Sequence, residues 1–140
     1  MRLSHSEVNE RNELPGMMAT LCSYENLFGP YHPQTLRLAV DIGVACWRLG
    51  EPRARPLLER TVRDLGRVLG RGSEIRFQAM AALRDLLIEQ HEYEGAGAVQ
   101  RELLECRVQR LGEDHPETLA TRAHLVAILL TAANPPHREA

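Results

Sequence analysis

Apolar residues recur at helical spacing through most of this chain, in blocks that glycine and proline separate. The blocks predict pairs of helices, in which we call the first helix A and the second helix B. The A helices are predicted at 33–49, 74–90 and 116–130, and the B helices at 15–28, 53–69 and 94–111. Apolar residues spaced six and then four positions apart share one stripe of each A helix. They are Leu36, Ile42 and Cys46, then Phe77, Leu83 and Leu87, then Leu119, Leu125 and Leu129. The pattern predicts an all-α fold with about six main helices in the order B, A-B, A-B, A.

One sequence motif occurs at the joint between a B helix and the next A helix. Gly-x-x-His-Pro-(Gln or Glu)-Thr-Leu occurs at 29–36, the first joint, and at 112–119, the third joint. Glycine after a helical run can take the left-handed conformation that closes a helix, and proline is tolerated in a first helical turn. The second joint, at 70–77, begins 41 residues after Gly29 (70 − 29) but lacks His-Pro and Thr. The chain is therefore a repeat of helix pairs with a period of about 42 residues.

The two ends of the chain are less regular than the repeat. Residues 1–13 are polar, and we expect a frayed lead-in with at most a short helix from a Ser6 cap through Asn12. The helical repeat domain is predicted at 14–131, and its first helix starts at the Pro15 signal. Residues 132–140 are predicted to be a C-terminal tail, because Asn134 and the prolines after it stop the last helix.

Composition supports a helical protein and narrows the classes of partner. Only 4% of the residues are aromatic, which favours helices over a β-sandwich or barrel. The formal net charge is −2 and the charges are interleaved, so no basic surface for nucleic acid is predicted. No segment resembles a signal peptide or reaches about 18 uninterrupted apolar residues. We expect a soluble cytoplasmic protein with no nucleic-acid or membrane partner.

Residues with catalytic or metal-binding chemistry are scattered along the chain. His32 and His115 lie 83 residues apart (115 − 32), whereas zinc ligands must converge within about 2.0–2.3 Å of one ion. A structural role at the helix start is therefore favoured for both. Cys22, Cys46 and Cys106 have neither Cys-x-x-Cys spacing nor an adjacent base, so buried, reduced thiols are expected. The sequence predicts no catalytic residue, no metal and no cofactor.

The joints resemble those of a known family. A two-helix repeat with Leu-Gly-x-x-His-Pro-x-Thr-Leu at its joint is similar to the kinesin-light-chain-like branch of the tetratricopeptide repeats (TPR). The resemblance spans residues 15–130, and Arg84 departs from it because the family prefers a small residue there. It implies an α-α superhelix (solenoid) of antiparallel helix pairs, without catalysis, that holds peptides or partner proteins along a concave face lined by the A helices. In bacteria such arrays are often appended to larger signalling proteins.

The groove-facing side of the A helices is therefore the candidate binding surface. Its predicted residues are Arg37, Val40, Asp41, Val44, Trp47, Arg48, Gln78, Asp85, Glu89 and His124. The resemblance implies Asn, Lys or Arg at several levels where this chain has small apolar residues, such as Ala81, Ala123 and Ala127. An apolar or helical partner therefore fits better than a clamp for a peptide backbone or carboxylate. Trp47 is a candidate anchor, and core packing is its equally open alternative.

The sequence thus predicts a non-enzymatic protein–protein interaction module for a peptide or helical partner, and the resemblance implies that such a module can form part of a bacterial signalling or regulatory protein. The alternative is a homodimer formed through open faces of the terminal helices, around Met17, Met18, Leu21, Leu125, Ile128 and Leu129. A third surface is the basic face of one B helix, with Arg60, Arg63 and Arg67. It could meet an acidic partner, although interleaved acidic residues favour a solvated face.

Overall fold

The structure, a computed structural model, describes residues 5–136, with side chains described from residue 11 onward. The regular secondary structure of this part of the chain consists of helices joined by short turns, and this part contains no strand. The helices are α1 (His5–Phe28), α2 (Pro33–Arg48), α3 (Ala54–Val68), α4 (Glu74–Glu89), α5 (Tyr93–Leu111) and α6 (Pro116–Ala133). The predicted all-α class and the order B, A-B, A-B, A are confirmed, with α2, α4 and α6 as the A helices.

The chain divides within α4 into two compact units, Met1–Ala82 and Leu83–Ala140. In the first unit α2 packs against both α1 and α3, around the buried side chains of Ile42, Leu58 and Leu65. In the second unit α5 packs against α6, where Leu103 and Ile128 are buried. Each unit therefore has apolar side chains removed from water, and each fully buried one contributes roughly 1.5–3 kcal/mol.

Glycine closes the B helix at every joint. The φ angles are +88° at Gly29, +90° at Gly70 and +89° at Gly112, in the left-handed region that disfavours a Cβ atom. The glycine of the second joint has this positive φ angle although the joint lacks most of the sequence motif. The predicted glycine closure is confirmed at all three joints.

A side-chain acceptor caps each A helix. Nδ1 of His32 accepts a hydrogen bond from the Gln34 backbone N–H at 3.1 Å, and Nδ1 of His115 accepts one from Glu117 at 3.1 Å. At the second joint Oγ of Ser73 accepts from the backbone N–H of Arg76 at 3.3 Å. These bonds satisfy backbone donors that have no partner inside the helix. The favoured structural role of His32 and His115 is therefore N-capping.

Helix α1 starts earlier than its sequence predicts. It begins at His5 and continues through Pro15, so it includes residues of the predicted lead-in and does not end at Asn12. Arg11 in this early part of α1 contacts the end of α2 and the turn after it: its Nη2 donates to the Leu49 carbonyl at 2.9 Å, and its Nη1 pairs with Glu51 at 3.2 Å. The side chain of Ser6 and residues 137–140 of the predicted tail lie outside what the structure describes.

The predicted apolar stripe is buried in two of the three A helices. All three stripe residues of α2 and all three of α4 are buried. In α6 only Leu125 is buried, whereas Leu119 and Leu129 are 48% and 38% exposed. The reason is that α6 turns a different set of residues toward the core of the second unit: Thr118, Thr121, Leu125 and Ile128. Within residues 5–136, none of the helices is both long enough and apolar enough to cross a membrane.

Candidate partner-binding surfaces

The predicted groove residues of the first unit differ widely in exposure. Arg37, Asp41 and Arg48 are exposed on α2, and Gln78 is exposed on α4. Val40 is buried in the core, so its side chain is not accessible to a partner. The other two predicted residues of α2 are half-buried: Val44 and Trp47. Because α2 packs on two helices, its accessible surface is a narrow charged strip rather than half of the helix.

A polar network connects the helices of the second unit. The guanidinium of Arg84 donates from Nε to Oδ1 of Asp85 at 2.9 Å and from Nη1 to Oε1 of Gln100 at 2.9 Å. Nε2 of the buried Gln100 then donates to the Thr121 carbonyl at 3.1 Å. Both ends of a buried amide are thereby satisfied, as buried polar groups require. The departure from the TPR pattern at Arg84 therefore has a structural role that sequence patterns did not predict.

His124 lies in the electrostatic field of the same network. Burial lowers the pKa of its imidazole, the Arg84 guanidinium lowers it further, and the Asp85 carboxylate opposes both effects. Folding thus favours the neutral ring. The stabilisation is complete above the ordinary pKa of 6.5 and is lost as pH falls through the lowered pKa. Two predicted groove residues, Asp85 and His124, are therefore close enough to interact electrostatically, while the third of this unit, Glu89, is exposed.

Helix α6 has an exposed apolar stripe, the α6 stripe, formed by Leu119, Ala123, Val126 and Leu130. These residues are spaced four, three and four positions apart, and all are exposed. The exposed fractions of the three large ones are 48% for Leu119, 50% for Val126 and 66% for Leu130. The spacing of the apolar residues predicts Leu119 in the core and does not single out Val126. The signal for the stripe was its spacing, which repeats the period of a helix-packing face.

The face predicted for self-association is mostly covered. Leu21, Leu125 and Ile128 are buried, and Met17 and Met18 are half-buried. Only Leu129 among the predicted residues is classed as exposed. The large exposed apolar side chains of α6 are thus those of the α6 stripe and Leu129.

The cysteines and histidines are dispersed in the structure as well. Cys46 and Cys106 are buried, as expected, but the prediction is wrong for Cys22, which is exposed. Burial raises the pKa of the Cys46 thiol, and this effect outweighs the opposing charge of Arg53. Across the described side chains, no group of three or more His, Cys, Asp or Glu residues is arranged to hold a metal ion.

The chain has been compared with known proteins. None of the protein-family models matches it, and the curated proteins include no similar sequence. The TPR resemblance therefore depends on the joint motifs of the chain itself.

Proposed function

We propose that this chain is a non-enzymatic protein-interaction module that binds a peptide or a helical segment of a partner protein on the exposed faces of its A helices. The α6 stripe carries the proposal. Its spacing of four, three and four residues is the one by which helices pack on each other, and its large side chains are about half exposed or more. The resemblance of the joints to TPR proteins supports the same function.

The exposed strip of α2 would contribute orientation more than affinity. Arg37, Asp41 and Arg48 alternate in charge along it, and all three are exposed. Charges at the edge of an interface mainly steer association and exclude wrong partners. The half-buried Trp47 beside them is the candidate anchor, since aromatic side chains dominate binding energy at interfaces.

Residues that suggested chemistry in the sequence have structural uses that fit a binding module. The Nδ1 atoms of His32 and His115 accept backbone hydrogen bonds, which leaves neither atom free to act as a base or ligand. The thiols of Cys46 and Cys106 are buried. These assignments support a scaffold whose specificity lies on helix surfaces.

Site-specific photocrosslinking tests the proposal. A photoreactive amino acid is introduced at Val126 or Leu130 of the intact chain, and at exposed Glu105 on α5 as the control. We expect a discrete crosslinked protein from the two stripe positions and none from the control. Equal crosslinking from all three positions, or none from the stripe, would refute the α6 stripe as a binding surface.

The same stripe supports self-association as the second candidate function. Two copies of an apolar helix face can pair symmetrically, and a stable pair would bury well over about 1,000 Å². Light scattering over a range of concentrations decides between the candidates. A dimer that dissociates in the Val126→Glu/Leu130→Glu variant, but not in Gln109→Glu on α5, establishes self-association. A concentration-independent monomer excludes it.

A further inference from the structure

A polar cavity of about 130 Å³ lies in the first unit, between α1, the first joint and α3. We call it the Thr35 cavity. Its lining includes the hydroxyl-bearing Thr35, the carboxylates of Glu25 and Asp64, and the guanidinium-bearing Arg60. The volume corresponds to several water molecules, at about 30 Å³ each, so it can hold the head group of a side chain.

Two of the polar lining residues are buried. Thr35 is only 2% exposed, and its Oγ1 has no hydrogen-bond partner among the residues that the structure describes. The matching residue of the third joint, Thr118, instead donates from Oγ1 to the Arg107 carbonyl at 3.5 Å. Asp64 is 8% exposed, which is uncommon for a carboxylate. The lining therefore includes a buried carboxylate, for which a hydrogen-bond donor would be favourable, and a threonine whose hydroxyl has no partner among the described residues.

At the second joint, a buried arginine side chain occupies the position that corresponds to Thr35. Arg76 stands 41 residues after Thr35 (76 − 35), the same offset that separates Gly70 from Gly29. Its side chain is buried, with 5% of the residue exposed. Nε donates to the Val62 carbonyl at 3.2 Å, and Nη1 donates to the Arg71 carbonyl at 3.0 Å.

The surroundings of Arg76 correspond to the lining of the Thr35 cavity. A Cβ atom on Gly66 would lie 3.1 Å from Nε of Arg76, so Gly66 is the third close neighbour beside Val62 and Arg71. Subtracting the offset of 41 from 62, 66 and 71 gives three residues of the first joint region. All three line the Thr35 cavity: Leu21, Glu25 and Pro30. The cavity is thus the counterpart of the space that a guanidinium fills one repeat later.

We propose that the Thr35 cavity binds the guanidinium group of an arginine side chain carried by a partner polypeptide. Two carboxylates against one guanidinium give the lining a formal charge of −1, which favours a cation over an anion. Arg60 is exposed and can keep its charged end in solvent. A planar guanidinium forms paired hydrogen bonds with carboxylates, and Asp64 and Glu25 supply the acceptors.

An adjoining groove favours a polypeptide as the source of the arginine. This groove of about 340 Å³ lies between α1 and α3, and it shares Leu21, Glu25 and Arg60 with the cavity. Its further lining includes the apolar side chains of Met18 and Leu57. The groove can therefore hold the aliphatic stem of the arginine or an apolar neighbour in sequence. The cavity and the groove are lined by residues of α1, α2, α3 and the first joint and share no residue with the α6 stripe, so this proposal goes beyond the proposed function and can fail independently of it.

A pair of blocked peptides tests the site with the intact wild-type chain. One peptide contains a leucine and an arginine, and the other has citrulline, which is neutral and of similar shape, in place of the arginine. Binding is followed by amide chemical shifts of Thr35 and Thr61 in NMR spectra. We expect the arginine peptide to bind at least about tenfold more tightly, since charge-assisted hydrogen bonds are lost with citrulline. Equal binding of the two peptides, or no binding of either, overturns the proposal.

Variants then locate the interaction. Asp64→Asn should weaken arginine-peptide binding about tenfold, whereas Asp114→Asn, which removes an exposed carboxylate at the third joint, should leave it unchanged. Thr35→Arg copies the arrangement of the second joint and should abolish binding while helicity is retained. Equal effects of the two Asp variants, or undiminished binding to a folded Thr35→Arg chain, would overturn the assignment. The peptide comparison uses only the wild-type chain, so it remains decisive if a variant does not fold.

Discussion

The first and second joints have similar backbone conformations but bury different side chains. Gly29 and Gly70 have φ angles of +88° and +90°, and a side-chain acceptor follows each glycine at the start of the next helix. The first joint then buries the Thr35 hydroxyl, which has no partner among the described residues, whereas the second buries the Arg76 guanidinium against two backbone carbonyls. The glycine and the capping acceptor thus define the joint. The residue three positions after the acceptor supplies the side chain that is buried at the joint.

The strongest test of this difference is Arg76→Ala. The variant leaves a cavity and removes the hydrogen bonds that Arg76 donates to the carbonyls of Val62 and Arg71, so we expect a loss of about 2–4 kcal/mol in the free energy of unfolding. Urea unfolding followed by circular dichroism measures it. Arg63→Ala, on an exposed arginine of α3, is the control and should change stability by less than about 0.5 kcal/mol. Similar small losses in both would mean that Arg76 is dispensable to the second joint.

The joints also show which features the sequence could predict. Helix ends followed from local signals, because a glycine that closes a helix and a proline that starts one act within a few residues. The equivalence of the second joint was predicted from Gly70 and spacing alone, and its φ angle bears this out. The burial of Arg76 was not predicted, since it depends on carbonyl groups that only the folded α3 and joint provide.

The surfaces were harder to predict for a related reason. A helical wheel assumes one buried face, but α2 packs against two helices, and Val40 is buried as a result. Helix α6 shows the opposite error, because Leu119 was assigned to the core and is 48% exposed. Likewise, Arg11 in the early part of α1 contacts Leu49 and Glu51, which are 38 and 40 residues away, and no local pattern shows these contacts. Sequence patterns predict helices well, and the number of packed neighbours decides which side chains remain accessible.

Substitution of the joint glycines tests the shared part of the comparison. Gly29→Ala, Gly70→Ala and Gly112→Ala should each cost about 1–2 kcal/mol, because alanine is strained at a φ angle near +90°. A Cβ atom at these positions would meet nothing within 4 Å, so the cost is conformational rather than steric. Gly72→Ala, in the second joint but without a positive φ angle, is the matched control. A much smaller cost at Gly70 than at the other two joints would show that the joints are not equivalent.

Substitution of the capping residues tests whether histidine and serine stabilise the helix start equally. We expect His115→Ala and Ser73→Ala each to lower the free energy of unfolding by about 1 kcal/mol, since a backbone N–H loses its acceptor. His115→Asn should recover most of the loss, because asparagine is a preferred N-cap residue. Chemical denaturation of the three variants under identical conditions provides the measurement. If asparagine fails to rescue, the histidine contributes through contacts other than the cap.

The smallest expected effect compares equivalent threonines of the first and third joints. Thr118→Val removes a long hydrogen bond to the Arg107 carbonyl and should cost about 0.5–1 kcal/mol. Thr35→Val removes a buried hydroxyl that has no partner among the described residues, so we expect no loss and a gain of up to about 1 kcal/mol. Paired thermal and urea unfolding of the two variants gives the difference directly. A greater loss from Thr35→Val would mean that its hydroxyl stabilises the fold. The expected order would instead show that folding does not need the Thr35 hydroxyl.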